Sequence, residues 1–226
     1  MVKSDPSTGK GEQTRQHIFE SALVLFREKG FDATTMQQIA ERAEVAKSAA
    51  YYYFPSKEAI IHAYYEEIQA AQEQICEHAF AETRDLKKRL ALALKSKLDL
   101  ARDDRNLLGV VFRYTGEPRH PLSCLGRDTA RIRRRAIAVF ERAIETERMP
   151  QDLQQLLPLA LWALQMGLLV MFLYDESEGQ RRTLRMADST LDLTLKLLAL
   201  AKLAVLKPVR TKALTLLRDA ELLPQR

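Results

Sequence analysis

The longest charge-free segment of the chain, residues 153–174, is the feature that most limits what this sequence can fold into. Its 22 residues, LQQLLPLALWALQMGLLVMFLY, are enough to cross a bilayer as one helix. A helix that is apolar on every side is also what the centre of an all-helical assembly requires. Three glutamines and a proline interrupt the segment, and they favour the second interpretation. We therefore expect a buried helix in a helical protein rather than a membrane span.

The rest of the sequence also predicts helices. The composition is 46% apolar and 29% charged, with only 8 glycines and 8 prolines, which is typical of a folded, helix-rich chain. Apolar residues recur at helical spacing, and breaks fall at TGEPRHP, RMPQD, DESEG and LKPV. We expect an all-α fold. The predicted helices cover residues 12–29, 34–43, 46–54, 57–81, 86–104, 106–114, 121–148, 152–175, 181–206 and 208–222.

Residues 12–54 have the pattern of a helix-turn-helix unit. Thr34 and Thr35 each precede a glutamine by three residues, which matches the capping box that begins a helix. A short break at residues 44–45 separates the second helix from the third, and Pro55 ends the third because the residue before a proline is pushed out of the α region. A support helix followed by two short helices and a tight turn places the last helix in the DNA major groove.

Three tyrosines and a phenylalanine follow one another in this third helix, within KSAAYYYFPSKEA. Four consecutive helical residues point in directions about 100° apart, so some of them face outward. One face carries Lys47, Ser48, Tyr51 and Tyr52, and the opposite face is small and apolar. Ammonium and phenol groups bind phosphates and base edges, so this face suits DNA. An aromatic run alone more often belongs to a core, but the capping signals, the turn and the flanking lysines favour a DNA-binding face.

The stretch TTMQQIAERAEVAKSAAYYYFPSKEAII resembles the DNA-binding segment of the TetR family of bacterial transcription regulators. The resemblance covers about residues 12–61, roughly a quarter of the chain. It implies phosphate contacts from Thr35, Tyr53 and Lys57. It implies that Lys47, Ser48, Ala49, Tyr51 and Tyr52 face the major groove. The helical wheel instead places Tyr53 near the packing side, so the two arguments differ for that residue.

The chain departs from the usual pattern of this family in its turn and its third helix. Glu44 occupies the position of the usual turn glycine, so this position either avoids a positive φ or carries strain. Ala46 replaces the usual serine and removes a helix N-cap. Ala49 has no polar side-chain atom, so we expect base recognition to depend on Lys47, Tyr52 and DNA shape.

We predict a polar, flexible tail over residues 1–11, a helix-turn-helix domain over 12–60 and a larger helical domain over 61–226. The helices at 152–175 and 181–206 are apolar enough to pair with those of a second copy in a four-helix bundle, and the resemblance implies the same homodimer. It also implies a small ligand in this domain, which we expect to be apolar or amphipathic. The candidate ligand contacts are His62, Arg113, Tyr114, His120, Trp162 and Met166.

Other functional classes receive little support from the sequence. It contains no dinucleotide fingerprint, P-loop, HExxH motif or nucleophile elbow, and its four histidines have no metal-ligand spacing. We predict no metal, no cofactor and no catalysis. The first residues lack the apolar core of a signal peptide, and the two distant cysteines fit a reduced cytoplasm.

The expected function is therefore that of a cytoplasmic transcription regulator, a repressor that a small molecule releases from a double-stranded DNA operator. A constitutive DNA-binding regulator without a ligand response remains an alternative. So do a membrane-tethered regulator that uses residues 153–174 and, with less support, a helical enzyme.

Overall fold

The computed structural model describes residues 6–223, and all secondary structure in that range is helical, as the sequence predicted. The α-helices are α1 (Pro6–Lys29), α2 (Met36–Arg42), α3 (Lys47–Tyr53), α4 (Lys57–Glu82), α5 (Leu86–Leu100), α6 (Arg105–Thr115), α7 (Ala130–Ile144), α8 (Gln151–Tyr174), α9 (Arg181–Ala201) and α10 (Lys207–Asp219). Two short 3-10 turns, Glu178–Gln180 and Ala204–Leu206, precede α9 and α10.

Helix α1 begins earlier than the sequence predicted. Its first residue is Pro6, six positions before the expected start, so part of the predicted polar tail is helical. Proline suits the first turn of a helix because its missing N–H has no partner there and its ring fixes a helical φ. Residues 1–5 of the predicted tail lie outside the described residues.

The predicted helix over residues 121–148 is shorter in the structure, where α7 covers only Ala130–Ile144. Turns occupy the preceding segment. The backbone N–H of Cys124 donates to the carbonyl of Thr115 at 3.0 Å, and the Thr129 hydroxyl donates to the carbonyl of Ser123 at 2.5 Å. These bonds satisfy polar groups that a helix would otherwise pair internally.

The chain divides into two compact units, and neither is continuous in sequence. The first contains the chain up to Glu67 together with Asp104–Ala130, and the second contains Ile68–Asp103 and the chain after residue 130. Helix α6 and its following loop thus belong to the first unit although they lie far along the chain. The division into a DNA-binding domain up to residue 60 and a ligand-binding and dimerisation domain after it remains a prediction.

In the first unit, α1 packs against α2 and α6 around an apolar core. Gly30 ends α1 at φ 88°, a left-handed conformation that glycine adopts without a Cβ clash. The largest buried side chains here are Ile18, Phe19, Phe26, Ile39, Phe54, Ile60 and Ile61. This core fixes α2 and α3, the two helices of the predicted DNA-binding motif.

In the second unit, α8 packs against α9 and α10, and α5 packs against α8 and α9. Within the described range, α8 is the one helix long and apolar enough to cross a membrane by length and composition, and 50% of its most apolar window is buried. Two ion pairs join α9 to α5: Asp192 pairs with Lys87 at 2.7 Å, and Asp188 pairs with Lys95 at 2.5 Å.

Candidate DNA-binding interface

Helix α2 begins at a complete capping box. The Thr35 hydroxyl accepts from the backbone N–H of Gln38 at 3.2 Å, and the Gln38 side chain accepts from the backbone N–H of Thr35 at 3.0 Å. Of the two threonines that the sequence offered, Thr35 is the cap, and Thr34 is buried and donates to the carbonyl of Gly30 at 2.8 Å. Thr35 is exposed.

The turn between α2 and α3 is closed at Glu44, whose φ is 52°. The N–H of Val45 donates to the carbonyl of Ala40 at 3.0 Å, a bond that ends many helices when the intervening residue is left-handed. Of the two alternatives left by the sequence, the structure has the positive φ. A residue with a Cβ in this conformation stores about 1–2 kcal/mol of strain, which a glycine would not.

Helix α3 presents the face that the sequence predicted. Ala46 at its N-cap provides no side-chain hydrogen bond, as expected. Ala50 is fully buried, whereas Tyr52 is 81% exposed and Tyr51 45% exposed. Lys47 and Ser48 are also exposed on this helix, and Ala49 is half-buried. An ammonium, a hydroxyl and two phenols therefore share an outward surface.

Tyr53 lies against α1. Its side chain is half-buried, its ring meets the Tyr52 ring edge-on with centroids 5.1 Å apart, and a Cβ added at Gly11 would lie 3.5 Å from its hydroxyl. This position agrees with the helical wheel. The phosphate contact that the resemblance implies for Tyr53 stays a prediction.

Lys57 supports the connection between α1 and α2. Its Nζ donates to the carbonyls of Phe31 at 2.6 Å and Asp32 at 3.3 Å, and lies 4.6 Å from the centre of the Phe31 ring. An ammonium has three protons, so a phosphate contact would use the third. That contact also stays a prediction.

A buried carboxylate at the start of α6 joins three helices of the first unit. Asp104 accepts two hydrogen bonds from Arg27 of α1, at 2.5 and 3.0 Å, and one from the Tyr64 hydroxyl of α4 at 2.9 Å. Burial opposes ionisation of Asp104, but the hydrogen bonds from Arg27 and Tyr64 outweigh it and hold its pKa below the ordinary value. Burial and the neighbouring carboxylate raise the pKa of Tyr64.

The C-terminal end of α6 is attached to the turn after α1. Asp32 accepts from the Tyr114 hydroxyl and from Arg113, both at 2.6 Å, and the Tyr114 hydrogen bond is the main cause of the lowered pKa of Asp32. The Tyr114 ring stacks on His120 with centroids 4.4 Å apart. His62 bonds the carbonyl of Pro121 at 3.0 Å.

Four of the six candidate ligand contacts therefore belong to the first unit, and the side chains of Arg113 and Tyr114 bind Asp32 there. Trp162 and Met166 lie on α8 in the second unit, buried and half-buried respectively. Asp32 and Asp104 were not singled out from the sequence, since the side chains that bind each of them are distant along the chain. Among the residues that the structure describes, no group of three or more His, Cys, Asp or Glu side chains could hold a metal ion.

Two protein families match this chain. Residues 18–64 match the bacterial regulatory proteins of the tetR family, and residues 89–213 match the tetracyclin repressor-like C-terminal domain. The chain is 50% identical over 44 residues to the uncharacterized HTH-type transcriptional regulator YuxN of Bacillus subtilis. It is 41% identical over 46 residues to IcaR of Staphylococcus aureus, the HTH-type negative regulator of the biofilm operon icaADBC. Each match covers 20% of this chain, but only 15% of YuxN and 25% of IcaR.

Solved structures share the fold over most of the chain. FadR of Bacillus subtilis, in complex with stearoyl-CoA, has a TM-score of 0.62 at 19% identity and covers 79% of this chain and 96% of its own. FadR of Thermus thermophilus, in complex with lauroyl-CoA, has a TM-score of 0.60 at 22% identity, with coverages of 84% and 95%. The family match of the C-terminal domain alone spans more than half of the sequence. The resemblance seen in the sequence is thus confirmed, and the chain belongs to the TetR family of bacterial transcription regulators, which are not enzymes.

Proposed function

We propose that this chain is a transcriptional repressor that binds an operator as a homodimer and leaves it when a small molecule binds the second unit. The outward face of α3 is the observation that carries the proposal. A tyrosine that is 81% exposed beside an exposed lysine contributes little to a monomer's core, and both groups suit the major groove. We place this activity in the cytoplasm.

The positions of the side chains support the proposed DNA contacts. Lys47 and Tyr52 are the candidates for base edges, because both are exposed on the outer side of α3. Thr35 caps α2 and is the candidate for a phosphate, since a helix N-terminus favours an anion. Ser48, Ala49, Tyr51, Tyr53 and Lys57 complete the proposed interface.

The proposed dimer uses α8 and α9. Helix α8 exposes Ala160, Ala163, Gly167, Met171 and Tyr174, and helix α9 exposes Met186, Leu193, Leu197 and Leu200. On α8 these residues are three or four positions apart, and on α9 they are three, four or seven positions apart, which places them on one face of each helix. The same two faces of a second copy would cover them in a four-helix bundle, and the small residues of α8 would allow close backbone approach. A two-fold dimer presents two α3 helices to half-sites about 34 Å apart.

The ligand response is supported by the fold and by the attachments of α6. Two structural relatives were solved with acyl-CoA ligands, and an apolar or amphipathic ligand suits the buried surface of α8, which includes Trp162. Within the first unit, hydrogen bonds join α6 and its N-cap Asp104 to Arg27 of α1 and Tyr64 of α4. Another joins Tyr114 of α6 to Asp32, which lies in the turn after α1. Any displacement of α6 would therefore move the helices that support α3.

Selection of bound fragments from genomic DNA tests this function. The wild-type protein should enrich fragments that share a sequence with two related half-sites, and Tyr52→Ala should lose that enrichment. Lys47→Ala should weaken the enrichment as well. Its matched control is Lys88→Ala, because both residues are exposed lysines and Lys88 lies on α5 in the second unit. Enrichment of unrelated sequences by the wild type would contradict the proposal.

A further inference from the structure

Two buried glutamines of the second unit each leave a hydrogen-bond acceptor unsatisfied. Gln72 of α4 is 0% exposed and Gln165 of α8 is 1% exposed. Their side-chain N–H groups donate to the same acceptor, the carbonyl of Ala93 on α5, at 2.9 and 2.6 Å. The Oε1 atom of each side chain has no hydrogen-bond partner within the described residues. A buried acceptor without a partner costs about 1–3 kcal/mol, so the pair needs an explanation.

The orientation of both amides is fixed by their common partner. A carbonyl oxygen only accepts, so each amide must turn its nitrogen towards Ala93 and its oxygen away. Reversing either amide would bring its oxygen against the carbonyl of Ala93. The side chains of Gln72 and Gln165 therefore present two neutral acceptors, and a partner has to bring donors.

The polar groups beside this pair are already engaged. Lys97 donates to the Oε1 of Gln69 at 2.7 Å, and Arg135 binds both carboxylate oxygens of Glu73 at 2.9 and 2.6 Å. The next turns of α8 on either side of Gln165 bury apolar side chains, namely Leu161, Trp162 and Leu168. Burial also lowers the pKa of Lys97 to about 8, which indicates that this part of the unit disfavours charge.

We propose that Gln72 and Gln165 form the polar end of the ligand site and bind a mainly apolar molecule through a group that donates hydrogen bonds, a hydroxyl or an amide N–H. This inference rests on the ligand response proposed above and names the chemistry of that ligand. A carboxylate or a thioester carbonyl only accepts, so neither group fits the two oxygens. A buried water that satisfies both oxygens is the competing outcome.

Two matched probes separate these outcomes in the full-length protein. Lauramide and N,N-dimethyllauramide share a twelve-carbon chain and a carbonyl; only lauramide has N–H donors, which the second compound replaces with two methyl groups. We expect lauramide to bind at least about tenfold more tightly, as measured by titration calorimetry, because a site that hydrogen-bonds a donor rejects the analogue that lacks it. Gln165→Leu and Gln72→Leu should remove this preference, and Gln154→Leu, an exposed glutamine of α8, should keep it.

Equal binding of the two amides would overturn the inference, and so would the absence of binding by either, which would assign the oxygens to water. The comparison of the two probes on the wild type does not depend on whether a variant folds. DNA binding without any probe, measured on the same samples, tests the proposed function separately. If operator binding persists while both probes fail, only the inference about the ligand falls.

Discussion

Removal of one hydroxyl group, in Tyr64→Phe, tests how firmly α6 is attached to the first unit. The hydroxyl donates to the Asp104 carboxylate at 2.9 Å, and both side chains are buried. A hydrogen bond to a charged group contributes about 1.5–3 kcal/mol. Asp104 keeps its two bonds from Arg27, whose side chain is 46% exposed, so the carboxylate is not left unpaired. We therefore expect a loss at the lower end of that range, about 1.5–2 kcal/mol.

The neighbouring Tyr65→Phe is the matched control. Tyr65 is hydrogen-bonded to the neutral side chain of Thr115, and such a bond contributes about 0.5–1.5 kcal/mol. Urea unfolding followed by circular dichroism at pH 7 should therefore show the larger loss for Tyr64→Phe.

The pH dependence distinguishes the charged bond from ordinary packing. The folded-state pKa of Asp104 lies below its unfolded value of about 3.8, so the carboxylate contributes its stability above that pH. The contribution is lost as the pH falls through the folded pKa, so the excess loss of Tyr64→Phe should shrink below about pH 4. Equal losses for the two variants at pH 7, or an excess that stays the same as the pH is lowered until the protein unfolds in acid, would refute the reasoning.

Three other predictions concern strain, a buried charge and the dimer. Glu44→Gly should raise the free energy of unfolding by up to about 1 kcal/mol, because it relieves the strain of a positive φ of 52° at some cost in chain entropy. Thermal unfolding measures this change, and no gain in stability would mean that the strain is absent. Between pH 8 and 10.5 the ionisation of Lys97 should make the free energy of unfolding of the wild type increase with pH, because Lys97 keeps its proton in the unfolded chain but has released it in the folded one. Urea unfolding of Lys97→Met should lack this increase. Ala163→Arg should yield monomers in sedimentation velocity, whereas Ala81→Arg, at an exposed alanine of α4, should leave dimers; a dimer in both would remove α8 from the interface.

Local signals were enough to predict the DNA-binding motif from the sequence. The capping box of α2 and the proline after α3 act over a few residues, so their effect does not depend on the rest of the fold. The start of α4 has a local bond of the same kind, since the Ser56 hydroxyl accepts from the backbone N–H of Ala59 at 3.3 Å. The outward face of α3 was also predicted correctly, because a buried Ala50 fixes the orientation of the other residues on a short helix.

Features that depend on distant contacts could not be predicted. Asp104 is followed by an ordinary helical pattern, and nothing in that pattern indicates that Arg27 and Tyr64 bind it. The segment 121–129 was predicted as the start of a helix, but its backbone groups find partners in turns that depend on Thr115 and Thr129. The orientation of the Gln72 and Gln165 amides depends on the carbonyl of Ala93, to which both donate. No spacing in the sequence indicates that these three residues meet.

The most direct measurement of the central claim is fluorescence anisotropy on the selected operator fragment, at two salt concentrations and with unrelated DNA as competitor. The wild type should bind the fragment despite the competitor. Lys47→Ala should weaken binding by roughly 5- to 150-fold, in line with about 1–3 kcal/mol for a specific base contact, while Lys88→Ala should bind like the wild type. Equal affinities for the Lys47 and Lys88 variants, or binding that any DNA abolishes equally, would contradict the assignment of α3 as the helix that reads DNA.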